Sequence, residues 1–347
     1  MRYHCVALFS GGLDSILACK VIQKQGLNVL GLHFVSPFFG KPEKKDYWRE
    51  LYGIDVLVVD IGEDFVKLLK NGPKWGLGKG LNPCVDCKIL MLKKAKEFLP
   101  VIGAEFIITG EVLGQRPMSQ RRDTINLIAK EAGVKGLVLR PLSAKLLNIT
   151  YPEEKGLVKR EELLALKGRG RKPQLELAKE FGLKEIPTPS GGCLLTDLEC
   201  VKRFWAVLTN LKDPKVEDFE LAKVGRQFWI NKNWLVIGRN KSDNKKLLSL
   251  LSSNDILFKV ADIPGPIGLG RQKEGKWDKS LILEGAMLLV SFCKGLNEGE
   301  SVKVKVGIEG RVEEIVVKYE EELKERVRWA APSIEGFEEN KKNFWKN

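Results

Sequence analysis

A chain of 347 residues with 44% hydrophobic side chains is long enough for about two packed domains. It holds no run of about 18 apolar residues, which excludes a helical membrane span. The net charge of +13, with +8 over residues 1–199 and +5 over residues 200–347, exceeds what an enzyme of small molecules needs and fits a phosphate-rich partner such as RNA.

The predicted elements open with a strand, Cys5 to Phe9, and a buried helix face, Ile16 to Ile22. There follow a strand over 27–35, a helix over 44–52, a strand over 54–60 and short helices over 63–70 and 89–98. A strand over 104–110 ends in glycine, a helix covers 119–132, and a fifth strand is 137–139. Near-continuous apolar strands between helices predict a parallel sheet covered on both faces. Residues 141–198 read as an appended helical segment, with helices over 153–166 and 172–181 and a stiff, then glycine-rich turn over 187–193. This appendage is expected to fold back over the nucleotide.

From residue 199 the pattern becomes α+β. Helices are predicted over 199–210, 242–253 and 281–293. Hairpins are predicted around Asn231-Lys232-Asn233 and around Glu309-Gly310. The tail after Pro332 carries little signal. The expected class is α/β with a second, smaller α+β domain, divided at 198/199. Seven unevenly spaced cysteines, and a strand directly at the start of the sequence, predict a cytoplasmic protein with no leader and no disulfide framework.

Between the first strand and helix stands Ser10-Gly11-Gly12-Leu13-Asp14-Ser15. Glycines let backbone N–H groups approach an anion, the helix N-terminus adds partial positive charge, and the serines add hydroxyls. That is a cradle for nucleotide phosphates. It lacks the lysine of a Walker A loop and the three glycines of a dinucleotide fingerprint. It resembles the SGGxDS signature of the PP-loop ATP pyrophosphatases, which transfer AMP to a carbonyl oxygen and release pyrophosphate. The resemblance implies ATP on Ser10, Gly11, Gly12, Asp14 and Ser15, with Asp14 positioning Mg²⁺ or the phosphates. His33 and Phe34, late in the second strand, are expected to flank adenine.

Cys84-Val85-Asp86-Cys87 follows Asn82-Pro83 and precedes Lys88. Thiols at i and i+3 can converge on one metal, one cluster or one disulfide. Cys193 lies in a glycine turn that can present sulfur. Together Cys84, Cys87 and Cys193 would hold a [4Fe–4S] cluster with one iron left open. Alternatively, a Cys193 persulfide would deliver sulfur and Cys84 or Cys87 would resolve it. Cys5, Cys19, Cys200 and Cys293 lie in apolar periodic segments and read as core.

Residues 109–120, Thr-Gly-Glu-Val-Leu-Gly-Gln-Arg-Pro-Met-Ser-Gln, resemble the TGexxGQxxSQ segment of 4-thiouridine synthetases, where a C-x-x-C-K/R element also precedes it. The Asn-Pro before the cysteine pair and the late third cysteine resemble the tRNA 2-thiouridylases. Residues 6–198 are thus similar to the PP-loop domain of tRNA uridine thiolases. Gly110 and Gln115 join the expected ATP contacts. The resemblance implies an ATP-dependent tRNA sulfurtransferase that adenylates a uridine carbonyl and replaces its oxygen with sulfur. It takes the sulfur from sulfide or a persulfide carrier protein, and the target uridine must be splayed from its stack.

No THUMP-like segment stands ahead of the loop and no rhodanese-like segment behind it, so the tRNA is expected to be gripped otherwise. Gly225 to Phe228, Ile237 to Lys241 and Asp262 to Pro266 resemble the RNA-binding module of the NFACT proteins. Arg226, Arg239 and Lys241, with Arg169, Arg171 and Lys172 of the basic loop at 167–172, are the expected RNA contacts. Two other readings exist. One is a PP-loop ligase that adds an amine, which needs no paired cysteines. The other is an RNA-binding scaffold with a vestigial nucleotide fold, which needs no intact Ser10–Ser15 loop.

Overall fold

The computed structural model describes residues 2–187 and 192–345. The chain divides into two compact units, Met1–Thr196 and Asp197–Asn347. Among the described residues, the first unit carries a five-stranded sheet of β1 (Cys5–Leu8), β2 (Val29–Val35), β3 (Asp55–Asp60), β4 (Phe106–Thr109) and β5 (Val138–Leu139). Its order is β3-β2-β1-β4-β5, and every pair is parallel. Cys5 stands opposite Val29 on one side and Phe106 on the other. Inner strands of such a sheet are covered on both faces, and β1 and β4 are correspondingly buried, with Cys5, Val6 and Phe106 to Ile108 at zero exposure.

The chain runs outward from β1 in one direction, then crosses to β4 and β5 on the other side. The order therefore reverses beside β1. At such a point the loops after two neighbouring strands part and leave a crevice at the carboxyl edge. Here those are the loop Ser10–Ser15, after β1, and the segment after Thr109, after β4. The helix Leu13–Lys24 packs Ile16, Leu17 and Ile22 into the same core as Phe106, Leu139 and Leu163. Each such side chain contributes about 1.5–3 kcal/mol by leaving water.

Two expectations in this unit need correction. The helix expected over 89–98 begins earlier and runs Cys84–Ile102, so the cysteine pair occupies its first turn rather than a loop before it. Pro83 ends the preceding loop, and the Cys87 N–H donates to the Pro83 carbonyl at 2.8 Å. The helix expected over 153–166 is not formed. A single turn, Tyr151–Glu154, stops at Gly156, which has φ +67°, and a 3₁₀ turn follows at Arg160–Glu162. Leu164 and Leu166 then donate backbone hydrogen bonds to Pro141 and Leu142. Their apolar pattern served an extended strip against the sheet, not a helix face. The helix Lys172–Glu180 stands as expected.

The second unit carries, among the described residues, a six-stranded antiparallel sheet of order β11-β10-β8-β9-β7-β6. Its strands are β6 (Arg226–Ile230), β7 (Asn233–Ile237), β8 (Ile256–Val260), β9 (Ile267–Arg271), β10 (Ser301–Ile308) and β11 (Arg311–Lys318). Both expected hairpins form, turning on Asn231 at φ 51° and on Glu309 and Gly310 at φ 50° and 80°. The strands β8 and β9 and the helix Val216–Ala222 lay outside the expectation. In β9 the sequence Ile-Gly-Leu-Gly-Arg reads as a loop, but its glycines are packing residues. A Cβ on Gly270 would come within 2.7 Å of the Trp277 ring. Arg271 at its end is buried between Asp218 at 2.7 Å and Asp255 at 3.0 Å. The tail also differs from expectation: Phe337–Phe344 is a helix, and the Phe337 and Phe344 rings lie 5.2 and 5.0 Å from that of Trp205.

Candidate active site

The loop after β1 is a compact hydrogen-bonded turn. Ser15 Oγ donates to the Gly12 carbonyl at 2.8 Å and stands 3.3 Å from Ser10 Oγ, which accepts from the Gly12 N–H. Gly11 has φ +73°, and the Trp48 ring closes on it from the helix Lys45–Tyr52. Gly110, just after β4, packs against the first turn of the helix Leu13–Lys24. A Cβ there would fall 2.6 Å from the Asp14 carbonyl oxygen and the Ser15 nitrogen. Only glycine allows so close an approach. Gln115 then donates through Nε2 to Asp14 Oδ2 at 3.2 Å. Asp14 Oδ1 is buried and has no hydrogen-bond partner among the described residues. The structure thus brings Ser10, Gly11, Gly12, Asp14, Ser15, Gly110 and Gln115 to one sheet edge, with one carboxylate oxygen uncommitted.

His33 and Phe34 are placed otherwise. His33 is 3% exposed and Phe34 5%. His33 Nε2 accepts from the Lys41 N–H at 2.8 Å, so Nδ1 carries the proton and donates to the Phe9 carbonyl at 2.9 Å. Burial lowers the pKa of this ring and keeps it neutral. Trp48 lies 4.6 Å from it. Both residues are core and offer no surface to adenine, which corrects their expected role.

Three residues that the sequence reading did not assign tie this edge to the cysteines. Glu111 is 5% exposed and is paired with Lys88 and, at 2.9 Å, with Arg140 Nε. Thr109 Oγ1 donates to the same carboxylate at 3.1 Å. Burial by itself would raise the Glu111 pKa, but the two cations outweigh it and hold it at about 2. Lys88 and Glu111 stood inside quoted motifs. Arg140 stood in none, and only its place after β5 marks it.

Cys84, Cys87 and Cys193 are half-buried free thiols. Cys84 Sγ donates to Asn82 Oδ1 at 3.2 Å. Burial, reinforced by the charges of Cys193 and Cys84, pushes the Cys87 thiol far up. Burial pushes the Cys193 thiol up to about 12, against a hydrogen bond from the Leu195 backbone and with Cys84 adding to the rise. Among the described residues, no three His, Cys, Asp or Glu side chains are arranged around a single metal ion. Residues 188–191 of the turn before Cys193 lie outside the described residues.

The basic loop reaches the same edge. Lys167 forms a backbone bridge with Leu113, and the Gly168 N–H donates to the Leu113 carbonyl at 2.8 Å. Arg169 and Lys172 are exposed and Arg171 is half-buried. In the second unit, Arg226, Arg239 and Lys241 do not form the open cation cluster expected of them. Arg226 lies over the Phe292 ring at 4.5 Å. Arg239 is held by Asp243, with Nε to Oδ2 at 2.7 Å, so its charge is already balanced. Lys241 is exposed at the start of the helix Lys241–Ser249.

Two family models match separate stretches of the chain. Residues 2–146 match the family described as thiamine biosynthesis protein (ThiI), and residues 225–329 match the NFACT protein RNA binding domain. The first part of the chain is similar to ThiI, the second to the NFACT RNA-binding domain. A probable tRNA sulfurtransferase of Thermococcus kodakarensis is 30% identical over 145 residues, 40% of this chain and 36% of that protein. A tRNA sulfurtransferase of Desulfurococcus amylolyticus is 28% identical over 149 residues, 40% of this chain and 29% of that protein. An uncharacterized protein of Methanocaldococcus jannaschii is 28% identical over 132 residues, 37% of this chain and 46% of that protein. The matched region thus spans less than half the length of each of these relatives. No helix among the described residues is long and apolar enough to cross a membrane.

Proposed function

We propose that the chain is an ATP-dependent tRNA sulfurtransferase. The observation that carries the reading is a continuous line of contacts. Cys87 is followed by Lys88, Lys88 is paired with Glu111, and Glu111 follows Gly110, which packs on the backbone of Asp14 and Ser15. A sulfur site and a nucleotide cradle are thereby joined at one sheet edge. An amine-transferring ligase has no use for the first half of that line, and a scaffold has none for the second.

In this reaction the carbonyl oxygen of a splayed uridine attacks the α-phosphorus of ATP, and pyrophosphate leaves. The sulfur of a sulfide donor then adds to the activated carbon, and AMP leaves with the former carbonyl oxygen. The chain's part is to bind and orient. Ser10, Gly12 and Ser15 present hydroxyls and N–H groups to the phosphates, and Gln115 fixes one oxygen of Asp14. The uncommitted Asp14 Oδ1 fits Mg²⁺, which would draw charge from the phosphates. Cys84, Cys87 and Cys193 are the free thiols that would hold an iron–sulfur cluster. Bound there, it would supply one coordination position free for sulfur.

The test is anaerobic purification, iron analysis, and incubation with tRNA, ATP and sulfide. AMP, pyrophosphate and a thiolated uridine are expected together. ADP and orthophosphate as sole products would reject the reading. An iron-free protein that still thiolates tRNA from a persulfide donor would replace the cluster by the cysteine relay.

A further inference from the structure

The outer face of the second unit's sheet carries an ordered set of lysines. In β10 the side chains alternate strictly: Val302, Val304 and Val306 are buried, and Ser301, Lys303 and Lys305 are exposed. Pairing fixes what stands beside them. Lys305 is directly opposite Lys259 of β8, and Ser301 is opposite Lys318 of β11. Lys259 and Lys318 are exposed as well. Directly opposed residues of antiparallel strands share a face, so all four ammonium groups lie on one side of three adjacent strands. The acidic residue at these positions is Glu314, opposite Lys305, and it approaches Lys303 only at 3.9 Å.

Two like charges directly across a ladder destabilise a sheet. A solvated surface gains nothing from the Lys259–Lys305 pair, whereas a bound polyanion turns its repulsion into attraction. The rest of the face is small or aliphatic: Ser301, Gly307, Val312 at 68% exposure and Val316 at 58%. No aromatic side chain stands at these paired positions, so nothing here stacks on a base. The face suits phosphates and leaves sequence unread.

We infer that Lys259, Lys303, Lys305 and Lys318 form a binding face for the phosphate backbone of RNA. The choice of RNA rests on the sulfurtransferase reading above and on the RNA-binding family matched by residues 225–329, which include all four lysines. The face takes the part expected of Arg226 and Arg239, whose guanidinium groups are already engaged by Phe292 and Asp243.

The test uses the full chain and unmodified tRNA. In a variant with Lys259→Gln, Lys303→Gln, Lys305→Gln and Lys318→Gln, affinity is expected to fall roughly tenfold or more. The slope of log Kd against log salt is expected to shrink by about 1 for each phosphate no longer held. A control of equal charge, Lys67→Gln, Lys130→Gln, Lys155→Gln and Lys179→Gln, is expected to leave most of that slope in place. An unchanged slope in the first variant, or an equal loss in the control, overturns the inference while leaving the sulfurtransferase reading intact. Binding of tRNA through this face without any thiolation would overturn that reading and leave the inference. Wild-type chain that binds anionic phospholipid vesicles but no RNA would overturn the inference in favour of a membrane surface.

Discussion

The Trp48 ring lies so close to Gly11 that a Cβ on the glycine would come within 2.3 Å of its Cζ2 atom. Gly11 also has φ +73°, where a side chain costs about 1–2 kcal/mol by itself. Gly11→Ala is therefore expected to lower the melting temperature and to weaken ATP binding, because the displaced ring is also packed on Phe9 and His33. Thermal melts with and without ATP check this. A variant with unchanged melting and unchanged nucleotide affinity would contradict the packing.

Asp14→Asn keeps the shape but removes the charge of the uncommitted oxygen. We expect tRNA-dependent pyrophosphate release to fall by about 100-fold or more. The melting temperature without ligand should barely move, since the bond from Gln115 can be kept. Radiolabelled ATP separates the two effects.

Glu111→Gln leaves Lys88 and Arg140 without their shared counter-charge. Breaking a buried pair on one side costs about 3–5 kcal/mol. The wild-type carboxyl gives a pH signature. Its pKa is about 2 in the folded chain against an ordinary 4.5, so its stabilisation is present above pH 4.5 and is lost as pH falls toward 2. That contribution is on the order of 3 kcal/mol. Acid unfolding of wild type should steepen across that window, and the Gln variant should lack this component.

Trp205 is 8% exposed and touches Phe337 and Phe344 of the tail helix. Trp205→Ala should destabilise the second unit by about 3–5 kcal/mol. Removing residues 333–347 should cost part of the same amount. Calorimetry that shows no change on truncation would mean the tail does not contribute.

The parallel sheet was readable because β1, β2 and β4 are buried on both sides and so spell uninterrupted apolar runs. The loop at 10–15 and the segment at 109–115 were readable because close contact with a phosphate or a helix backbone demands glycine. What escaped depended on tertiary partners. Gly268 and Gly270 break a strand pattern and make sense only beside Leu289 and Trp277. The leucines of 157–166 have helical spacing but lie against the residues after β5. His33 looks like a ligand until Lys41 and Phe9 take both its nitrogens. Arg239 looks like a free cation until Asp243, four residues on, neutralises it.

The bridge between Leu113 and Lys167 is made by main-chain atoms alone, and Gly114 and Gly168 face each other across it. From Gly168 to Arg171 is three residues, a reach of roughly 10 Å at full extension. The loop therefore acts as a tether: it sets an upper limit on how far the backbone of Arg169 to Arg171 can stand from the bridge at Leu113, whatever side chains it carries. Inserting residues there would lengthen that limit, and exchanging side chains would not.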